Sequence, residues 1–241
     1  MSSAETTSPE TVILDVDGTL ADTVYHHTLA WARAFDRVGL TPPVWQIHRA
    51  IGLGGDKLVE AVAGDQAEDE HGDTLREAWE EEYEKLLPEI HLLPGARDLI
   101  LTLAERGLTV VLASSGKESF VEHVMELLDL PEGTLTATAS SDEAEESKPE
   151  PDVLEVALDK ADGGSSVLVG DTPYDIAAAA RVGAPCVALR TGGFGVEELE
   201  DAGAVLVAQT PAELVDADWD GLLRAEVPAG AADTDSPLPE V

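Results

Sequence analysis

Val12-Ile13-Leu14 run without polar interruption into Asp15-Val16-Asp17-Gly18. A strand apolar at successive positions is buried on both faces, as the strands of a parallel sheet are. Beyond it the period changes from strand to helix. Ala30, Ala34 and Val38 recur at helical spacing beside Trp31 and Phe35, which predicts a helix over 23–38, capped by Asp22 or Thr23 and ended by Gly39. Pro42-Pro43 opens a short helix over 44–51, a glycine-rich loop follows at Gly52-Leu53-Gly54-Gly55, and further helices are predicted over 56–62 and 74–87. The last carries an acidic face (Glu77, Glu80, Glu81, Glu82, Glu84), the pattern of a solvated surface.

From Leu93-Pro94-Gly95 onward the two periods alternate. Helices are predicted over 96–106, 118–128, 151–160 and 175–182, and strands over 108–113, 134–139, 166–169, 186–189 and 204–207. Such alternation predicts an α/β fold: a Rossmann-like three-layer core with a parallel sheet and helices on both faces. The run 22–92 is helical throughout and reads as a four-helix cap inserted after the first strand, leaving 11–21 and 93–225 as the core. Residues 1–10 read as a flexible lead, and the Pro-, Ala- and Gly-rich stretch 226–241 as a disordered tail. No internal repeat is present.

Composition narrows the function. At 241 residues and 44% hydrophobic content the chain can bury a full core. It has no apolar run near the roughly 18 residues that span a bilayer and no basic-then-apolar leader, which predicts a soluble, cytoplasmic protein. Cys186 is the only cysteine, so cysteine-based zinc sites and intrachain disulfides are excluded. Acidic residues outnumber basic ones 49 to 14, a formal charge of −35. Nucleic acid and anionic membranes need positive charge and are excluded as partners. The acidity, with so few lysines, is similar to that of proteins from salt-in halophiles.

Candidate chemistry gathers at the ends of the predicted strands, where open α/β sheets place their ligands. Asp15 and Asp17 follow the first strand with no lysine or arginine beside them, so they repel one another unless a cation intervenes, which points to a divalent metal. Ser114 follows the strand over 108–113, Lys148 lies in a later loop, and Asp171 and Asp175 follow the strand over 166–169. Taken singly, these are a helix cap, a surface lysine and an acidic turn. Their order and complementary charge make a site.

Those residues lie in stretches that resemble the haloacid dehalogenase superfamily, in its group of phosphatases with a small helical cap (the phosphoglycolate phosphatase and β-phosphoglucomutase-like enzymes). The resemblance is carried by DVDGTLADT, LLPGARDLILTLAERGLTVVLASSGK, KPEPDVLEVAL and VLVGDTPYDIAAAARVGAPCVAL, and covers about residues 11–215. It implies that Asp15 is a nucleophile forming an aspartyl-phosphate, and that Asp17 is the acid and base for the leaving alcohol and the attacking water. It implies Mg2+ held by Asp15, Asp171 and the main-chain carbonyl of Asp17, with Asp175 orienting that shell or joining it. Ser114 and the Ser115 amide would bind phosphate oxygens and Lys148 would neutralise charge.

An acid at position 17 is what dehalogenases and phosphonatases of the superfamily lack, so the resemblance favours phosphatases and phosphosugar mutases. A mutase grips a second phosphate, normally with an arginine in the cap loop; the loop from Gly52 to Lys57 has none, although Arg49 and Lys57 are near enough to be candidate substrate-phosphate ligands. The resemblance thus favours a phosphatase of a small phosphorylated metabolite such as phosphoglycolate or a sugar phosphate. A phosphosugar mutase is the alternative, and a non-catalytic phosphate-binding protein a remote one. Gly52 belongs to the candidate substrate-reading loop, and Lys117 is placed to approach a substrate phosphate. His26, His27 and His48 read as solvent-facing or cap-lining, Trp31 and Trp45 as cap packing.

The charge generates a prediction. Self-repulsion weakens the compact state at low ionic strength, and molar salt screens it over a few ångström. The melting temperature should climb between low and molar KCl; a flat series would remove the halophilic reading.

Overall fold

The computed structural model describes residues 10–144 and 146–233. Six strands form one parallel sheet: β1 (Glu10–Leu14), β2 (Thr109–Ala113), β3 (Ala137–Ala139), β4 (Ser165–Gly170), β5 (Cys186–Leu189) and β6 (Leu206–Ala208). Their spatial order is β3-β2-β1-β4-β5-β6. The order reverses between β1 and β4, and at such a switch point the flanking connections leave in opposite directions and open a crevice at the carboxyl ends of the strands.

Ten α-helices accompany the sheet among the described residues: α1 (Val24–Arg37), α2 (Val44–Ala50), α3 (Gly55–Ala63), α4 (Asp65–Glu84), α5 (Ala96–Glu105), α6 (Glu118–Leu128), α7 (Asp152–Lys160), α8 (Pro173–Arg181), α9 (Val196–Asp201) and α10 (Trp219–Leu222). Successive strand residues feed opposite cores. Val12, Leu14, Val110 and Val167 pack with Leu99 and Leu103 of α5 and Phe120 of α6, whereas Ile13, Val111 and Leu168 pack with Leu154 of α7 and Ile176 of α8. That alternation with no polar face is the doubly covered sheet predicted from the run at residues 12–14.

Helices α1 to α4 form the insert between β1 and α5, around a core of their own that includes Trp31, Phe35, Ile47, Leu58 and Leu75. The two chain segments that connect it to the sheet run side by side. Asp22 N–H donates to His91 carbonyl at 2.9 Å and Leu93 N–H to Leu20 carbonyl at 2.8 Å, around an antiparallel bridge between Ala21 and Leu92. No helix among the described residues is long and apolar enough to cross a membrane.

Several sequence expectations are corrected. Helix α4 starts at Asp65, nine residues before the predicted Thr74, because its first half buries little besides Ala67 and so shows no apolar period. Acids in its first turn, Asp65 and Glu68, favour the helix N-terminus electrostatically. Thr23 is the N-cap of α1 but its side chain caps nothing. Trp45 is not packed in the insert; it is 52% exposed. Strand β3 is limited to three residues at the sheet edge, since Thr134 folds back with its hydroxyl donating to the Pro131 carbonyl. Glu10 already belongs to β1; the rest of the expected flexible lead lies outside the described residues. The stretch after Glu226 is placed at its beginning, where Ala231 is buried against Gly203 and Ile176; residues 234–241 lie outside the described residues.

Candidate active site

At the switch point β1 ends in Leu14 and the chain turns through Asp15, Val16, Asp17 and Gly18. Gly18 has φ +74°, and a Cβ there would lie 2.1 Å from Asp171 Oδ2, so both the backbone conformation and the neighbouring carboxylate demand glycine. Beside it β4 ends in Gly170, and Asp171 follows. Thr172 and Asp175 then start α8 with a reciprocal cap: Asp175 N–H donates to Thr172 Oγ1 at 3.2 Å, and Thr172 N–H to Asp175 Oδ2 at 3.0 Å. This starts α8 at Pro173, two residues earlier than predicted, and fixes Asp175 with one oxygen in the cap.

The other oxygen, Oδ1, meets Lys148 Nζ at 2.6 Å, and the same ammonium meets Asp15 Oδ1 at 2.5 Å. Asp15, Lys148, Asp171 and Asp175 are all buried, none exposing more than 4% of its surface. Ligand oxygens of Asp15, Asp171 and Asp175 lie within 4.8 Å of one another. One ammonium among three carboxylates leaves two negative charges uncompensated when all are ionised. The strain shows in their acidities: burial pushes Asp15 up to about 7, with Lys148 opposing and Asp175 and Asp17 adding to the rise. Burial, then Asp175 and Asp15, raise Asp171 well above the usual carboxylate range. Asp171 Oδ2 is buried without a hydrogen-bond partner. Hard oxygen donors, two missing positive charges and an orphaned carboxylate oxygen suit a divalent cation of the magnesium or calcium type.

Asp17 is managed differently. Its carboxylate lies outside that triad and accepts from Thr23 Oγ1 at 2.8 Å, Ser114 Oγ at 3.3 Å and the His27 ring at 3.0 Å. Burial alone would raise its pKa, but the charge and hydrogen bond of His27 and the hydroxyl of Thr23 outweigh that and hold it below the ordinary value. His27 is fixed in turn by stacking on Tyr83, centroids 4.0 Å apart. Sequence reasoning treated His27 as a lining residue and Thr23 as a cap. Their signal was one helical turn between them, which places both on one face of α1 toward Asp17.

The remaining predicted residues divide. A cavity of about 70 Å3 is lined by Asp15, Asp17, Gly52, Ser115, Lys148 and Asp171, so the structure brings these together. Gly52 approaches Thr172 so closely that a Cβ would lie 2.9 Å from it, and its φ of +112° also requires glycine. Ser114 is buried, with Gly116 N–H donating to its hydroxyl at 2.9 Å. Lys117 lies in an adjoining outer cavity of about 430 Å3, paired with Glu80 of α4. Lys57 donates to the Ser147 carbonyl at 2.8 Å and Arg49 pairs with Glu198; neither lines the inner cavity. Trp31 is buried in the insert as predicted.

The sequence pattern of the haloacid dehalogenase-like hydrolases matches residues 12–189. A phosphoglycolate phosphatase of Rhodospirillum rubrum is 28% identical over 88% of this chain and 91% of its own, and one of Pseudomonas fluorescens is 27% identical over 91% and 79%. A solved hydrolase from Pseudomonas syringae superposes with a TM-score of 0.81 at 32% identity, covering 86% of this chain and 96% of that one.

The carboxylate cluster generates a pH prediction. Asp15 rises from an ordinary 3.8 to about 7 in the folded protein, so the folded state binds the extra proton. Its contribution is complete below the unfolded value and is lost as pH rises through the folded one, at up to about 1.4 kcal/mol per pH unit. Denaturant unfolding in EDTA should show stability falling from pH 5 to 7.5, with the fall flattened by magnesium or by Asp171→Asn. An identical slope in Asp171→Asn would contradict this.

Proposed function

The chain belongs to the haloacid dehalogenase-like hydrolases, and within that family we propose that it is a magnesium-dependent phosphatase of a small phosphomonoester, working in a salt-rich cytoplasm. The observation that carries this reading is the division of labour at the end of β1: Asp15 faces Lys148 and the carboxylate cluster, while Asp17, two residues on, faces proton-bearing side chains of α1. One acid is thereby kept for the phosphorus and the other for the proton.

Asp15 attacks phosphorus, the ester P–O bond breaks, and an aspartyl-phosphate forms. Lys148, fixed between Asp15 and Asp175, offsets the negative charge that a phosphate dianion brings next to a carboxylate. Asp15, Asp171 and the Asp17 main-chain carbonyl would hold magnesium, with Asp175 orienting that shell or joining it, and the ion would supply the remaining charge neutralisation. Ser114 and Ser115 stand ready for the phosphate oxygens; Ser115 Oγ is buried with no partner of its own. The arriving dianion raises the pKa of Asp17, which takes up a proton from solvent and gives it to the leaving alkoxide. As a carboxylate again, accepting from His27 and Thr23, Asp17 removes a proton from the water that attacks phosphorus and releases phosphate, which restores Asp15.

Hydrolysis is favoured over a phosphosugar mutase by the fate of the two cations that a mutase would need. Arg49 is bound to Glu198 and Lys57 to the Ser147 carbonyl, so neither offers a second phosphate grip beside the inner cavity. A narrow inner cavity and relatives named phosphoglycolate phosphatase support a small substrate of the phosphoglycolate or sugar phosphate class.

The reading is tested with p-nitrophenyl phosphate and magnesium in molar KCl. Phosphate release is expected, and Asp15→Asn should lower it by at least about a thousandfold. Full activity in that variant would refute the nucleophile assignment.

A further inference from the structure

Asp15 and Asp171 are buried in a cavity that Trp31, Gly52 and Trp79 of the insert line from the other side, so the packing of the insert on the sheet governs access for a phosphomonoester. What holds the insert down is therefore a functional question. At α4 the contact is the part-exposed Lys117–Glu80 pair with Tyr83 packed edge-on to Phe120 at 4.8 Å, and before α3 it is Ser147, which accepts from Gly54 N–H at 3.2 Å and, at its carbonyl, from Lys57 at 2.8 Å, and donates to Asp56. The third, at the end of α2, joins charge, aromatic and backbone contacts.

There Arg49 puts both guanidinium nitrogens on the Glu198 carboxylate of α9 and lays its plane over the Phe194 ring, 4.3 Å from the centroid. Glu198 is thereby held below its ordinary pKa. His48 Nε2 bonds the Gly192 carbonyl at 2.9 Å, with the Tyr25 ring stacked on its own at 5.1 Å and 9°. Tyr174 hydroxyl of α8 donates to the Arg49 carbonyl at 3.1 Å. A forked ion pair, a cation–π contact and two hydrogen bonds to backbone carbonyls, one on each side of the contact, combine interactions that are each weak at a surface. The core side of the contact also reaches the active site. Thr191 hydroxyl donates to the Gly18 carbonyl, and Gly192 lies so close to Asp171 that a Cβ would be 2.3 Å from its carbonyl oxygen.

We propose that His48 and Arg49 are the clasp that keeps the cap shut, fastening α2 to the segment Gly192–Glu198, and that Arg49 is a positioning residue for the closed state instead of a substrate ligand. The clasp is independent of which ester is cleaved. Substrate and product exchange require it to open, and its closure presses the Thr191–Gly192 turn onto Gly18 and Asp171.

Amide hydrogen exchange without substrate tests this in the full chain at fixed KCl, on Arg49→Ala, Glu198→Ala and the double variant. Each single change should speed exchange about threefold to tenfold in residues 44–51 and 190–198, leave β1 and β4 protected, and combine less than additively. Unchanged exchange, additive effects, or acceleration spread equally through β1 and β4 would overturn the proposal. Should Glu198→Ala not fold, Glu198→Gln removes the charge while keeping the shape, and is read by the same criteria.

Discussion

Three carboxylates buried around one ammonium are the constraint on which the rest of the structure depends. Asp15, Asp171 and Asp175 surround Lys148 with more negative charge than it can balance. An isolated excess of that kind is expensive in a protein interior, and it persists only where function holds it. The fold meets it with a reciprocal cap that satisfies half of Asp175, with a glycine at 18 that lets Asp171 approach, and with acidities of Asp15 and Asp171 weakened by burial and by their neighbouring carboxylates. The same excess makes the site receptive to a dication and, once that is bound, to a phosphate.

The sheet supplies the address and the insert supplies the enclosure. Because β1 and β4 are neighbours in the order of strands yet far apart in sequence, their carboxyl ends bring Asp15 and Asp171 together at the switch point. The insert leaves the sheet through two paired segments and packs back on the core at α2, at the loop before α3 and at α4. One of those, the docking of α2 on the turn after β5, connects the insert to Gly18 and Asp171 by direct contacts. Shutting the cavity and setting the carboxylate geometry are thus parts of one packing arrangement.

Most of the fold, and which residues gather in the candidate site, was legible in the sequence, for a physical reason. Asp15, Asp17, Ser114, Lys148, Asp171 and Asp175 sit at or near strand ends, and a parallel strand announces itself by an apolar run that stops at the site. Residues whose partners lie across the insert–sheet boundary were not legible. Arg49 reads as a phosphate ligand until Glu198, 149 positions later, is seen to hold it. Lys57 and Lys117 are redirected in the same way by Ser147 and Glu80. His27 carried a weak signal in its helical spacing from Thr23, and only the structure shows Asp17 at the receiving end of both. The first half of α4 was missed because a polar helix stabilised by its own charges has no apolar period to read.

The central claim is that the buried carboxylate cluster binds a dication in exchange for protons. Calorimetric titration of magnesium into the EDTA-stripped, dialysed protein near pH 7, repeated in two buffers of different ionisation enthalpy, reads binding and proton release together. The account predicts one site per chain, release of protons on binding, and loss of both in Asp171→Asn. Binding whose heat is the same in both buffers, or which survives Asp171→Asn unchanged, would contradict it.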